Sequence, residues 1–221
     1  MKLQALLLDI DGTLLDSNDI HAECWVEAFQ HFGKTVPFDV VRHQIGKGGD
    51  LLVPDLCNAR EMREIGEKVG KYRTDLFRKK YMKTVKPFPR VKQNLEALRA
   101  RGVRLALASS ANAGEVEYYT GLLGVADLIE ASTSKDDAEV SKPSPDIFEA
   151  ALESLGSDPK YTAVVGDTPY DILAAHRMAL PVVAVRSGGF EEELLAKAEF
   201  LFENVEEMVR EIDRVDDYFH Q

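Results

Sequence analysis

The 221-residue chain has only two cysteines, Cys24 and Cys57, and their spacing matches no metal-binding or redox motif. A chain of this length buries a large core without disulfide bonds, so we expect two buried free thiols in a reducing compartment. A disulfide between them is the less favoured alternative. The sequence has no apolar run near the roughly 20 residues of a membrane span, and its apolar start is too short for a signal peptide. These absences favour a cytoplasmic protein that does not enter a membrane.

Positive charge is also scarce. The chain has 27 Lys and Arg against 38 Asp and Glu, which gives a formal net charge of −11. The basic residues form no cluster, so the phosphate backbone of a nucleic acid would be repelled. We therefore exclude nucleic acid as a partner and expect a small-molecule ligand. A monomer and a homodimer both fit the composition.

Short apolar runs alternate with helical patterns over most of the chain. The runs that predict buried strands lie at residues 6–8, 103–108, 162–165 and 181–185, with weaker ones at 128–129 and 200–201. The helical patterns lie at residues 90–101, 115–123, 144–155, 170–178 and 205–213. This alternation predicts an α/β fold whose parallel sheet is covered by helices on both faces.

The alternation is interrupted after the first strand. From about Asp16 to Lys86 the sequence has no convincing strand pattern and instead predicts helices at residues 19–32, 38–45, 50–58 and 61–82. Trp25, Phe29 and Phe32 recur at helical spacing and are expected to pack inside this segment. We predict an all-α cap domain over residues 16–86, inserted into a core formed by residues 1–15 and 87–221.

Polar residues follow three of the predicted strands: Asp9 and Asp11, then Ser109, then Asp167 and Asp171. Ligands of open parallel sheets bind outside the carboxyl ends of the strands, so these side chains are expected to converge. Four crowded carboxylates are tolerated only if a cation is present or a proton is shared. Oxygen ligands of this kind suit Mg²⁺, and Lys142 would add a further positive charge. A serine hydroxyl beside both charges forms a pocket for a phosphoryl group.

The sequence contains Asp9-Ile10-Asp11-Gly12-Thr13-Leu14, Ser109 after an apolar strand, Lys142 before Pro143, and Gly166-Asp167-Thr168-Pro169-Tyr170-Asp171. In this order, these segments resemble the four motifs of the haloacid dehalogenase superfamily and cover nearly the whole chain. The helical insert is similar to that superfamily's helical cap. The resemblance implies a Rossmann-like core with a cap and an enzyme that acts on phosphate esters.

The resemblance implies a role for each motif residue. Asp9 would be the nucleophile, since a carboxylate with a pKa of about 4 is ionised at neutral pH. Asp11 would protonate the leaving alcohol and then activate water, for which we expect its acidic neighbours to raise its pKa. Gly12 would allow the sharp loop that turns both side chains toward one point.

The remaining motif residues would bind the metal and the phosphate. Asp9, the main-chain carbonyl of Asp11 and Asp167 would hold Mg²⁺, while Asp171 would act through water, orient Lys142, or serve only the structure of its helix. The phosphate would be bound by Gly12, Ser109, Ser110 and Lys142.

Substrate choice is expected to depend on the cap, where His21, Lys47 and Lys71 are the candidates. Some sugar-phosphate mutases of the superfamily carry a histidine at the position of His21 that helps the cap open and close. A half-buried histidine without a function is the competing interpretation. The segment over residues 45–50 is expected either to face the substrate or to form a turn.

We therefore predict a Mg²⁺-dependent phosphatase for a small phosphorylated metabolite, either a phosphoglycolate-like acid or a sugar phosphate. The alternative is a phosphomutase similar to β-phosphoglucomutase, which His21 and Lys71 favour. Against it, the residues directly after Gly46 are Lys47-Gly48-Gly49-Asp50, without the arginine that such mutases place shortly after the glycine. A phosphate-binding module without catalysis is a third interpretation, although such proteins usually lose the nucleophile, the acid or the lysine.

Overall fold

Strand β1, Ala5–Leu8, lies at the centre of a six-stranded parallel sheet in the computed structural model, which describes residues 2–220. The sheet order is β5-β4-β1-β6-β7-β8. The other strands of this sheet are β4 Arg104–Ala108, β5 Ala131–Thr133, β6 Thr162–Gly166, β7 Val182–Val185 and β8 Phe200–Phe202. From β1 the chain continues to β4 on one side and returns to β6 on the other, so the order of the strands reverses at β1. A ligand site is expected at such a reversal.

The side chains of β1 alternate between two apolar layers. Leu6 and Leu8 belong to one core cluster, and Ala5 and Leu7 to another on the opposite face. All four are fully buried, which explains why a continuous apolar run, rather than an alternating one, encodes this strand.

Helices cover both faces of the sheet. The cluster on one face contains apolar residues of α6 Val91–Ala100, α7 Ala113–Leu123, α11 Val205–Arg210 and α12 Ile212–Tyr218. The cluster on the other face contains residues of α8 Asp146–Leu155, α9 Pro169–Arg177 and α10 Glu192–Leu195. The predicted fold class, a Rossmann-like parallel sheet with helices on both faces, is confirmed.

The segment after β1 is helical, as expected. It begins and ends in a two-stranded antiparallel pair, β2 Leu15–Asp16 with β3 Lys86–Pro87. Between them lie α1 Asn18–His31, α2 Phe38–Arg42, α3 Gly49–Leu56, α4 Ala59–Glu61 and α5 Glu67–Leu76. The helical stretch continues with wider turns at Met62–Gly66 and Phe77–Tyr81 and ends in a tight turn at Met82–Thr84.

These helices share a small apolar core of their own. Trp25 and Phe29 are buried in it, and Phe32 packs against it half-buried. The division into a cap over residues 16–86 and a core over the rest stays a prediction, and the two terminal residues of that predicted core, Met1 and Gln221, lie outside the described residues.

Some predicted elements were misplaced. Residues 128–129 do not form a strand, since Ala126–Leu128 is a tight helical turn and the strand follows at Ala131–Thr133. The apolar pair Leu128-Ile129 packs against the core as the chain approaches the sheet edge. The tail helix predicted at 205–213 is interrupted at Glu211 and resumes as α12.

The two cysteines are both free thiols. Cys24 is buried as expected, but Cys57 is only half-buried. Among the residues described, no helix combines the length and the apolar character that crossing a membrane would require.

Candidate active site

Three carboxylates converge at the carboxyl ends of the central strands. Asp9 follows β1, Asp167 follows β6, and Asp171 lies in the first turn of α9. One oxygen of each lies within 4.8 Å of the other two, and all three side chains are buried. The order of strands and polar residues in the sequence predicted this convergence, but it included Asp11 as a fourth carboxylate.

Lys142 balances part of this negative charge. Its Nζ lies 2.5 Å from Asp9 Oδ1 and 2.8 Å from Asp171 Oδ1, and it donates to the carbonyl of Ala108 at 3.1 Å. Burial alone would lower the pKa of Lys142, but the carboxylates of Asp171 and Asp9 outweigh this effect and raise it. Lys142 therefore stays protonated and keeps a positive charge beside Asp9, the candidate nucleophile.

The three carboxylates carry more negative charge than one ammonium group balances. Burial raises the pKa of Asp9 to about 7, against the opposing effect of Lys142, so the expectation of an ordinary value near 4 was wrong. Burial, and then the charge of Asp9, raise the pKa of Asp167 well above its usual range. A buried group of carboxylate oxygens with excess negative charge fits a hard divalent cation. The side chain of Asp11 is not part of this group.

Asp11 instead faces the helix α1. Its Oδ1 accepts hydrogen bonds from Ser17 Oγ at 2.6 Å and from His21 Nε2 at 2.8 Å. Burial would raise the pKa of Asp11, but its interactions with His21, Ser17 and Arg73 together outweigh burial and lower it. The expectation that acidic neighbours raise this pKa was therefore wrong, because the nearest partners of Asp11 are donors.

Arg73 of α5 fixes the proton position on His21. The guanidinium Nη2 lies 2.5 Å from His21 Nδ1, and a guanidinium can only donate, so Nδ1 is the accepting nitrogen. The proton of the neutral ring then lies on Nε2, where it is donated to Asp11. Arg73 also lies over the rings of Trp25 and Phe77. Sequence reasoning missed Arg73, since nothing in the local pattern around it differs from an ordinary surface helix.

Asp167 is enclosed by groups that leave it no room to move. Its carboxylate accepts from Thr13 Oγ1 at 3.1 Å and from Asn18 Nδ2 at 2.8 Å. Gly12 has φ +79°, and a Cβ there would lie 2.2 Å from Asp167 Oδ2, while a Cβ at Gly188 would lie 1.7 Å from the same atom. Gly188 lies in a tight helical turn, Arg186–Gly188, and its carbonyl accepts a hydrogen bond from Asn18. The roles of Asn18 and Gly188 were not found from the sequence.

Residues 6–185 match the family model described as haloacid dehalogenase-like hydrolase. The chain belongs to this family. The match confirms both the predicted family and the predicted enzyme class, a hydrolase of the phosphatase type.

Individual haloacid dehalogenase-like proteins are similar over most of their length. A phosphoglycolate phosphatase from Yersinia pseudotuberculosis is 30% identical over 191 residues, covering 84% of this chain and 82% of the relative. The pyrophosphatase PpaX from Oceanobacillus iheyensis is 26% identical over 185 residues, covering 84% of both chains. The crystal structure of a hydrolase from Pseudomonas syringae superposes with a TM-score of 0.87 and 25% identity, over 96% of this chain and 99% of that one.

The two serines of the family's second motif have different surroundings. Ser109 is buried at the end of β4, and its hydroxyl accepts from the backbone N–H of Ala111 at 3.1 Å. Ser110 borders the cavity that Asp9 and Asp11 also line, and its hydroxyl lies 3.4 Å from the carbonyl of Gly46. The contribution of each serine to phosphate binding stays a prediction.

The contacts of Asp171 fit two of the three roles that the sequence left open. Its Oδ2 accepts from the backbone N–H of Thr168 at 3.0 Å and from the Thr168 hydroxyl at 2.6 Å, which caps α9. Its Oδ1 pairs with Lys142. Because the capping contacts fix the carboxylate of Asp171, this carboxylate can hold the ammonium group of Lys142 in place.

The three cap candidates lie at different distances from the acids. His21 contacts Asp11 directly. Lys47 borders the same cavity, but its ammonium group donates to Gln44 and Asp55 at 2.6 Å each, so it is already paired. Lys71 lies further out and borders a second, larger cavity.

The two cavities adjoin each other. The inner one, of about 70 Å³, is lined by Asp9 and Asp11 among others, and the outer one, of about 800 Å³, lies between the cap helices and the loops after β4 and β5. Both are bordered by Trp25, Gly49, Arg73, Ser110, Ala111 and Glu115. A ligand that binds at Asp9 through a small group can therefore extend into the larger outer cavity.

Proposed function

We propose that the protein is a Mg²⁺-dependent phosphatase that hydrolyses the phosphate monoester of a small metabolite through a phosphorylated Asp9. The observation that carries the proposal is the carboxylate of Asp9, paired with Lys142 and facing Asp167 and Asp171 at the inner end of a cavity. The expected cytoplasmic location and the choice between a monomer and a homodimer stay predictions from the sequence.

The nucleophile is the free oxygen of Asp9. Lys142 holds Oδ1, whereas Oδ2 accepts a long hydrogen bond from the hydroxyl of Thr13 at 3.5 Å. In the first step Oδ2 forms a bond to phosphorus while the bond from phosphorus to the leaving alcohol breaks. The alcohol takes its proton from the acid form of Asp11.

Asp11 then acts in its ionised form. A water molecule attacks the phosphorus of the phosphorylated Asp9 and gives its proton to the Asp11 carboxylate, and the bond between Asp9 and phosphorus breaks. The hydrogen bonds from Ser17 and His21 favour the carboxylate form that this second step needs. The proton taken from water restores the acid form of Asp11 that the first step of the next cycle uses.

The proposed ligands of Mg²⁺ are Asp9, Asp167 and the main-chain carbonyl of Asp11, and Asp171 lies close to them. When bound, Mg²⁺ supplies positive charge that offsets the charge of the phosphoryl group and of the carboxylates. Lys142 contributes the second positive charge, and because it is fully buried it is shielded from water, which strengthens its effect.

The experiment that tests the proposal is phosphate release from an aryl phosphate and from a library of phosphorylated metabolites, with Mg²⁺ and with EDTA. We expect Mg²⁺-dependent turnover that falls about 10³-fold or more in Asp9→Asn, because the nucleophile is lost. The matched control is Asp75→Asn, an exposed aspartate of α5, which should turn over at the normal rate. Substantial Mg²⁺-dependent activity in folded Asp9→Asn would refute the assignment of the nucleophile.

The competing function is a phosphomutase, and the hydrogen bond between His21 and Asp11 favours it. Against it, no arginine lies among residues 47–50 directly after Gly46, and Lys47 is paired with Asp55. Incubation with glucose 1-phosphate and its bisphosphate separates the two functions, since a mutase isomerises the sugar phosphate and a phosphatase releases inorganic phosphate. Release from no ester at all would favour the third interpretation, a phosphate-binding module.

A further inference from the structure

Glu115 is a buried carboxylate that the proposed reaction does not use. It lies in the first turn of α7, is 2% exposed, and borders both the inner and the outer cavity. Its Oε1 lies 3.5 Å from Arg73 Nη1, a long contact for a charged pair. Among the residues that the structure describes, its Oε2 has no hydrogen-bond partner.

The neighbouring Arg73 is also incompletely paired. Its Nη2 contacts His21, but its Nε has no acceptor within the described part of the chain. Buried polar atoms without partners are costly, and the great majority in folded proteins are satisfied by protein, water or ligand. Here an acceptor on Glu115 and a donor on Arg73 are both unsatisfied beside the cavity that leads away from Asp9.

The opposite charges of Glu115 and Arg73 determine which chemical groups of a ligand can bind to both residues. A carboxylate or a second phosphate would bind Arg73 but be repelled by Glu115, and an ammonium group would bind Glu115 but be repelled by Arg73. A hydroxyl group both donates and accepts, so it can satisfy the two residues together.

The outer cavity gives no net attraction to a second anion. Its basic side chains are equalled in number by its acidic ones. They are Lys71, Arg73, Arg78 and Lys135 against Asp50, Glu67, Glu115 and Asp136. An enzyme for phosphorylated acids would gain from a positive excess at this place.

We propose that Glu115 is a specificity-determining residue that accepts a hydrogen bond from a hydroxyl group of the leaving alcohol. The enzyme then prefers phosphate esters of neutral polyhydroxyl compounds over those of hydroxy acids. This inference rests on the proposed phosphatase function and deepens it by choosing between the two substrate classes left open by the sequence.

The wild-type enzyme provides the first test. We measure kcat and KM for sorbitol 6-phosphate and glucose 6-phosphate, for phosphoglycolate, for phosphoethanolamine, and for p-nitrophenyl phosphate, with Mg²⁺. The sugar and polyol phosphates should have a kcat/KM about tenfold or more above phosphoglycolate and phosphoethanolamine. A preference for either charged leaving group overturns the inference.

The variant E115Q provides the second test. Its amide has one accepting oxygen, which cannot serve both Arg73 and a hydroxyl, so the ratio of kcat/KM for the polyol ester to that for the aryl ester should fall about tenfold. The fall should come mainly from KM. The matched control is E117Q, since Glu117 is exposed on the same helix, and its ratio should match that of the wild type.

Each outcome separates a structural role from a role in specificity. Equal loss on the polyol and aryl esters, or an unchanged ratio, overturns the inference. If E115Q does not fold, the ranking of the substrates by kcat/KM in the wild-type enzyme is the deciding test of the inference. Hydrolysis of the aryl ester without a preference for hydroxyl-rich esters refutes only the role of Glu115, whereas hydrolysis of no ester refutes the proposed function as well.

Discussion

Replacing Asp167 with asparagine should make the metal-free protein more stable. Asp167 is fully buried, and its carboxylate lies within 4.8 Å of those of Asp9 and Asp171. Lys142 contacts the other two carboxylates, whereas the hydrogen bonds that Asp167 receives within residues 2–220 come from the neutral side chains of Thr13 and Asn18. Two like unit charges at this separation repel by about 3 kcal/mol at an effective dielectric constant of 20.

The net gain in the free energy of unfolding of Asp167→Asn is smaller than this repulsion. Asparagine has one accepting oxygen fewer than aspartate, and loss of the hydrogen bond to that oxygen costs about 1 kcal/mol. We expect the free energy of unfolding in EDTA to rise by about 1–3 kcal/mol, which corresponds to about 2–10 °C in Tm for a chain of this size. The pKa of Asp167 is raised in the folded protein, so the unfolded state loses its proton first as pH rises. The stability of the metal-free wild type therefore falls as pH rises above about 4, and the gap to the variant widens.

Calorimetry between pH 5 and 8, in EDTA and in excess Mg²⁺, measures both effects. Mg²⁺ should stabilise the wild type, since it binds the folded state, and should stabilise Asp167→Asn much less. Asp75→Asn, the exposed control, should behave like the wild type in both buffers. Lower stability of Asp167→Asn in EDTA, or an equal gain from Mg²⁺ in both proteins, would show that the three carboxylates do not form a cation site.

Two further predictions concern contacts outside the acid cluster. Asp216 accepts from the backbone N–H groups of Lys2 and Leu3, which outweigh burial and lower its pKa, so Asp216→Asn should cost about 1–2 kcal/mol at neutral pH. Urea unfolding should show this difference shrinking as pH falls below about 4, and a difference that grows there would contradict it. Asp50 of α3 accepts from Ser141 Oγ at 2.6 Å, next to Lys142, so Asp50→Ala should lower kcat/KM about tenfold. Steady-state kinetics test this link, and unchanged constants would exclude it.

The part of the site that the sequence predicted comes from local signals. Asp9 and Asp167 each follow an apolar run, and such runs become adjacent strands in a parallel sheet, so their convergence follows from strand order. Strand β5, which was predicted at the wrong residues, shows the limit of using apolar runs to locate strands. Ala131–Thr133 has little apolar character, whereas the neighbouring pair Leu128-Ile129 has more but packs against the core without joining the sheet.

The contacts that decide protonation could not be predicted in this way. Arg73 and His21 are 52 residues apart, and Asn18 and Asp167 are 149 apart, with no spacing that links them. The wrong expectation for the pKa of Asp11 has this origin, since it considered the neighbouring acids and not a donor supplied by α1. Long-range pairs between the helical insert and the sheet are set by how the two pack, which one sequence does not encode locally.

The short pair formed by β2 and β3 has a consequence for how this protein can diversify. Leu15 lies opposite Pro87 and Asp16 opposite Lys86, so the chain leaves the sheet and returns to it at a single place. Everything between these two points can lengthen, shorten or be exchanged while the ends that join the sheet stay side by side. Asp9, Lys142 and Glu115 all lie outside this segment, so changes in its outer helices can alter the shape of the outer cavity while these three residues stay in place.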